Sequence, residues 1–127
     1  MPAYTVDRAA EVLNARGKPL NGARVLLLGV TYKPDVADQR ESPVAAAARK
    51  LAARGAVLAY HDPYVDHWQP AGQPVRRAAD LDAELPHADL VILMQDHSGY
   101  DLDRITRHAP LILDTRGRLH GPHIETL

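Results

Sequence analysis

The sequence predicts an α/β domain in which helices cover both faces of a mostly parallel sheet, a three-layer sandwich preceded by an N-terminal helix. Three observations predict it. Short continuous runs of apolar residues recur along the chain, as strands buried on both faces require. The segments between them carry helix-start and helix-stop residues. Ionisable side chains gather directly after the apolar runs, where an alternating chain places its binding loops.

The elements follow in order. "YTVDRAAEVLNARGKPL" sets Val6, Ala9, Ala10 and Leu13 on one helix face, and Gly17 supplies the stop. This stripe is suited to a neighbouring domain or subunit, so we expect it to be poorly covered within the chain, with self-association or fraying as the result. Residues 23–30, "ARVLLLGV", read as the first strand. "SPVAAAARKLAARGA" reads as a helix: Ser42 caps it, Pro43 fits the first turn, the alanines favour propagation, and Gly55 closes it. Residues 56–60, "AVLAY", form a second strand. "HWQPAGQPVRR" is a proline-bearing loop leading to a short helix around "AADLDAEL". Residues 88–95, "ADLVILMQ", give a third strand, and "GYDLDRITRHA" a helix with Leu102, Ile105 and Ala109 on one side. "PLILDTRG" gives a fourth strand, and the tail "RLHGPHIETL" is ambiguous.

Composition narrows the function classes. A chain of 127 residues forms one core. A formal net charge of -1 gives no global field for nucleic acid, so any attraction for anions must be local. The sequence has no Cys, which excludes disulfides, thiolate zinc sites and a thiol nucleophile, and suits a reducing cytoplasm. The opening residues lack the apolar core of a signal peptide, and no apolar run approaches the ~20 residues of a membrane span. We expect a soluble cytoplasmic domain with neither nucleic-acid nor membrane partners.

In parallel α/β sheets ligands sit beyond the carboxyl ends of the strands, where strand order reverses. The loops to read are therefore "TYKPDVADQRES", "QDHSGYD" and "DTRGRLHG", which carry Lys33, Asp35, Asp38, Arg40, Asp96, His97, Asp114, Arg116 and Arg118. Lys33 and Arg40 flank the start of the Ser42 helix, whose free N–H groups and dipole favour an anion. Arg116 and Arg118 add forked donors suited to phosphate or carboxylate. Tyr32 either stacks on a base or sugar or packs over the strand end. Arg40 either meets the ligand or braces the loop against Asp35 or Asp38.

Several chemistries are disfavoured. Gly29 is followed by Val30, Thr31 and Tyr32, with no further glycines to bring backbone against a pyrophosphate, so the chain itself is not expected to bind NAD. A receiver domain needs a Lys that "DTRGR" does not offer. His61, His67, His120 and His123 occur at short spacings in polar loops, match no recognised ligand pattern, and read as solvated, so no metal site is expected. No G-x-S-x-G nucleophile elbow is present. The residues describe an anion-binding α/β domain with no catalytic set of its own.

"GVTYKPDVADQRESP" followed by "GAVLAYHDPYV", with "ADLVILMQDH" and "ILDTRGRL" after them in order, resembles the UDP-binding C-terminal domain of the UDP-glucose/GDP-mannose dehydrogenase family. The resemblance implies a Rossmann-like fold over residues 21–127, with residues 1–20 as the end of a central or linker helix. It implies a parent enzyme that oxidises the C6 alcohol of a nucleotide sugar to a carboxylate in two NAD-dependent steps. NAD and the catalytic Cys would then belong to separate NAD-binding and central domains, leaving this chain inactive alone and its parent a homo-oligomer. By the same resemblance Tyr32 and Lys33 match the family's aromatic-Lys pair at the UDP-sugar, Arg116 the Arg of its Asp-x-Arg segment, and Arg40 the Arg of its Arg-Glu-Ser motif. The alternative is a non-catalytic docking or oligomerisation module of the same fold.

Overall fold

The structure, a computed structural model, describes residues 2–37, 42–70 and 72–127. Among these the sheet has six strands: β1 (Arg24–Leu28), β2 (Val57–His61), β3 (Arg76–Arg77), β4 (Leu90–Leu93), β5 (Ile112–Asp114) and β6 (Ile124–Thr126). All pair in parallel, in the order β3-β2-β1-β4-β5-β6. From β1 the chain builds first to one side and then, through β4, to the other. The carboxyl ends of β1 and β4 therefore flank the point where strand order reverses.

Alternation along each strand divides the core. Val25 and Leu27 of β1, Leu90 and Ile92 of β4, and Leu113 of β5 face helices α1 (Pro2–Ala15) and α2 (Pro43–Ala53). Leu26, Leu28, Val91, Leu93 and Ile112 face the other layer, with Leu85, Ile105 and Ala109. Its helices are α3 (Leu81–Glu84), which runs into a 3-10 turn at Leu85–His87, and α4 (Leu102–His108). The three-layer sandwich thus follows from period-two alternation in strands that are apolar on both sides.

The start of α2 matches its sequence signals. Ser42 takes extended backbone geometry and its side chain accepts from Val44 N–H at 3.2 Å, with Pro43 next. At the far end Gly55, at φ 92, returns its N–H to Ala52, and Ala56 N–H reaches the Leu51 carbonyl at 3.1 Å. That left-handed closure costs little for glycine alone.

Helix α1 departs from expectation. Val6, Ala9, Val12 and Leu13 are buried in the same cluster as Val44, Ala47, Ala48 and Leu51, so the stripe is covered within the chain. The alanines of α2 let the two helices approach closely, which the sequence of α1 does not reveal. Polar contacts fix it further: Arg54 pairs with Asp7 at 3.2 Å, and Arg8 reaches Glu125 at 3.2 Å and the Thr126 carbonyl at 2.8 Å.

Two strands add to the four expected. β3 lies within the loop read as irregular, paired through Ala59↔Arg76 and Tyr60↔Arg77. Among its described residues the preceding crossover has no helix; buried Val65 and Trp68 cover that part of the sheet, with Trp68 edge-on to Tyr60 at 5.4 Å. β6 resolves the ambiguous tail, pairing Ile124 with Ile112.

Candidate functional site

At the carboxyl edge, three strand exits are pressed together. Gly29 sits at φ 80, and a Cβ there would lie 2.6 Å from Gln95 Cβ and 2.7 Å from the Gln95 carbonyl oxygen. Only a glycine fits this approach of the β1 exit to the β4 exit. Gly29 N–H also reaches the His61 carbonyl of β2 at 3.0 Å.

A buried polar network holds the loops that follow. Asp62, after β2, accepts from Val30 N–H at 2.8 Å, from Tyr64 N–H at 2.8 Å and from His97 Nε2 at 2.9 Å. Asp62 and His97 are both buried, which makes them expensive to leave unpaired and specific when satisfied. His97 Nδ1 in turn accepts from Asp35 N–H at 2.8 Å. Asp35 stands in the left-handed region at φ 62, and its carboxylate accepts from Ser98 N–H at 2.7 Å and Ser98 Oγ at 3.1 Å. Tyr100 OH donates to the His61 carbonyl at 2.8 Å; burial, and then the Asp62 charge, push this phenol well above its ordinary range. Burial, then the Arg77 guanidinium, hold the His61 imidazole below its usual value.

The loop after β5 has its own anchor. Asp114, also buried, accepts four backbone N–H bonds: Arg116 at 2.8 Å, Gly117 at 3.0 Å, Arg118 at 2.6 Å and Leu119 at 2.7 Å. The chain winds around this carboxylate, so both arginine side chains leave from a fixed turn. Asp96, after β4, then faces them: Arg118 pairs closely with it, and Arg116 Nε stands 3.9 Å away.

The residues singled out from the sequence are placed as follows. Tyr32 is half exposed, with Lys33 Nζ 5.8 Å from its ring centroid, so neither packs over the strand end. Arg116 keeps 42% of its side chain exposed and is only loosely paired. It lies on the same sheet edge as Lys33, and the β4 exit links them: Gln95 Nε2 donates to the Thr31 and Tyr32 carbonyls at 3.2 and 3.0 Å, and the next residue, Asp96, faces Arg116. Arg40 lies outside the described residues, as do Asp38 and Glu41. Not every histidine read as solvated is so. His67 and His120 are exposed, but His61 is half-buried against Tyr100 and His123 Nε2 lies 2.6 Å from the Thr106 carbonyl. No group of acidic and histidine side chains among the described residues is arranged to hold a metal.

A cavity of about 490 Å³ opens elsewhere. It lies at the amino ends of β1 and β2 and is lined by Arg24, Val57, Leu58, Arg76, Glu84 and His87 among others. Its charged walls are largely self-satisfied, since Arg76 and Glu84 form a two-bond pair at 2.7 and 2.9 Å. At the carboxyl edge, by contrast, Lys33 is exposed and Arg116 only loosely paired.

A six-stranded parallel sheet in this order, with helices on both faces, defines a Rossmann-like α/β domain. Residues 26–121 match the UDP-glucose/GDP-mannose dehydrogenase family, UDP binding domain, and the chain belongs to that family. It is 30% identical over 118 residues to a UDP-glucose 6-dehydrogenase of Rhizobium meliloti (strain 1021), covering 84% of this chain and 26% of that protein. It is 29% identical over 127 residues to a UDP-N-acetyl-D-mannosamine dehydrogenase of Methanococcus maripaludis (strain C7 / ATCC BAA-1331), covering 94% and 28%. The chain thus spans about a quarter of the length of the curated relatives it matches. Among solved structures, an NDP-N-acetyl-D-galactosaminuronic acid dehydrogenase from Methanosarcina mazei Go1 shares the fold at TM-score 0.81 and 24% identity, over 100% of this chain and 28% of that one. A UDP-glucose dehydrogenase from Pyrobaculum islandicum aligns at TM-score 0.73 and 26% identity, over 98% and 29%.

Proposed function

We propose that this chain is the nucleotide-sugar-binding domain of an NAD-dependent UDP-sugar 6-dehydrogenase, whose NAD-binding and catalytic-Cys domains are separate from it. The observation that carries the reading is the cationic, partly exposed set at the sheet's reversal point: Lys33 beside the Tyr32 ring, and Arg116 on a turn fixed by Asp114. Lys33 supplies a point charge and Arg116 a fork to the diphosphate or sugar oxygens. Tyr32 offers a ring face to the sugar or base. Arg40, two residues before Ser42 in the sequence, completes the proposed set. In the parent, residues 1–20 end the linker from a central domain and residues 21–127 close over the nucleotide sugar, in a homo-oligomer. The sequence contains no Cys and no glycine fingerprint, so oxidation of the C6 alcohol requires the other domains to bring NAD and the nucleophile.

Calorimetric titration tests this reading. UDP and UDP-glucuronate give saturable heat with the chain, whereas uridine, which lacks the diphosphate, gives none; no heat from UDP, or equal heat from uridine, refutes it. The chain with UDP-glucose and NAD forms no NADH, and substrate-dependent NADH from the pure chain would contradict the division of labour.

A further inference from the structure

His97 is buried where the loops after β1, β2 and β4 meet, and it bonds to two of them from the third. Its Nδ1 receives the Asp35 N–H at 2.8 Å. A ring nitrogen that accepts a hydrogen bond carries no proton, so the ring proton sits on Nε2 and is donated to Asp62 at 2.9 Å. Asp62 is in turn fixed by Val30 and Tyr64 N–H groups, so the ring is held at one end and holds at the other. What it holds is a turn with a reason to relax. Asp35 lies at φ 62, in the left-handed region where a Cβ crowds the following carbonyl oxygen. The β4 loop restrains that residue twice, through the His97 ring on its N–H and Ser98 on its carboxylate. Tyr32 and Lys33 lie between the β1 exit and this restrained turn, with their side chains exposed. Tyr64 packs edge-on over the ring at 4.9 Å and shields it.

We infer that His97 is a positioning residue: its Asp62-oriented ring latches the Asp35 turn and thereby aims Tyr32 and Lys33 across the sheet edge toward the ligand. The inference rests on the nucleotide-sugar reading for the ligand, although the latch itself does not. If the latch opens, the binding-competent fraction falls and apparent affinity falls with it.

The experiment compares the wild-type chain with His97→Phe, which keeps ring volume without either bond, and His97→Gln, whose amide offers one acceptor and one donor. UDP affinity, exchange of the Asp35 amide and the ring 15N spectrum of the wild type are measured by NMR. His97→Phe weakens UDP binding by about tenfold and speeds Asp35 exchange, because it removes the acceptor of a restrained N–H. His97→Gln recovers both in part. In every folded variant the two readouts move together, and a variant in which they part, Asp35 protected with affinity lost or the reverse, overturns the inference. Should His97→Phe fail to fold, His97→Gln and the wild-type spectrum decide. A wild-type ring protonated on Nδ1, or an unprotected wild-type Asp35 amide, overturns the latch whether or not UDP binds. Failure of the wild type to bind UDP, with Nδ1 unprotonated and Asp35 protected, would instead remove the nucleotide reading and leave the latch standing.

Discussion

Replacing Asp114 with Asn isolates what fixes the arginine turn. The Asp114 carboxylate accepts four backbone N–H bonds, Oδ1 from Arg116 and Gly117 and Oδ2 from Arg118 and Leu119, all between 2.6 and 3.0 Å. An amide is nearly isosteric but keeps one acceptor oxygen, so it satisfies one pair and turns its own N–H groups on the other. A hydrogen bond to a charged group contributes roughly 1.5–3 kcal/mol, and an orphaned buried donor adds a desolvation cost. Two such bonds lost, discounted because the turn relaxes in part, give about 3–5 kcal/mol. This compares with about 5–15 kcal/mol for the whole fold. Urea unfolding followed by the fluorescence of Trp68, the single and buried tryptophan, reads the change directly. With an m-value near 2 kcal/mol/M, the midpoint falls by about 2 M. A fall of less than about 0.5 M would show that the four contacts are replaceable and that the turn is not built on this carboxylate.

Arg116→Ala costs about 1.5–3 kcal/mol of UDP affinity with little change in unfolding midpoint, since Arg118 still pairs with Asp96; Arg116→Lys recovers only part, and a folding defect with unaltered binding would reject the assignment. Lys33→Ala weakens UDP binding comparably and leaves unfolding unchanged, because among the described residues its exposed ammonium stands beside the Tyr32 ring and on no backbone carbonyl. At the opposite edge, the Arg24 N–H and then the Lys18 ammonium hold the Asp89 carboxyl below its ordinary range. The unfolded chain therefore binds that proton more readily, so this stabilisation is complete above about pH 4 and is lost as pH falls through the depressed folded value. Asp89→Asn should lower stability by about 1 kcal/mol at pH 7, with the gap closing in acid; a gap that stays constant would contradict the linkage.

The sheet's central strands and their flanking helices were legible because each strand is a continuous apolar run closed by turn residues. β3 was not, because Arg76-Arg77 is a two-residue charged pair whose strand geometry comes only from bonding to β2. β6 was hidden for a similar reason: Ile124 and Thr126 are too few to form a pattern, and Arg8 of α1 helps hold them. The coverage of α1 was misread because a stripe shows that a helix must pack, not what it packs on. At the proposed site, charge clustering singles out the loops after β1, β4 and β5. It did not find the Asp62–His97 pair, whose members are 35 positions apart and whose meaning depends on strands β1, β2 and β4 being neighbours. Asp114 did carry a local sign, an Asp followed three residues later by Gly, which is turn chemistry. By sequence alone it is one more charge in a charged loop.

The central claim is that ligand meets this domain at the carboxyl edge. A backbone 1H–15N titration of the chain with UDP tests it most directly. The account predicts saturable shifts concentrated at Tyr32, Lys33, Gln95 and residues 115–118, with smaller changes at Asp35 and none beyond it at the amino edge. Saturable shifts centred instead on Arg24, Val57, Arg76 and His87, around the large cavity at the opposite edge, would contradict it, as would no shift at millimolar UDP.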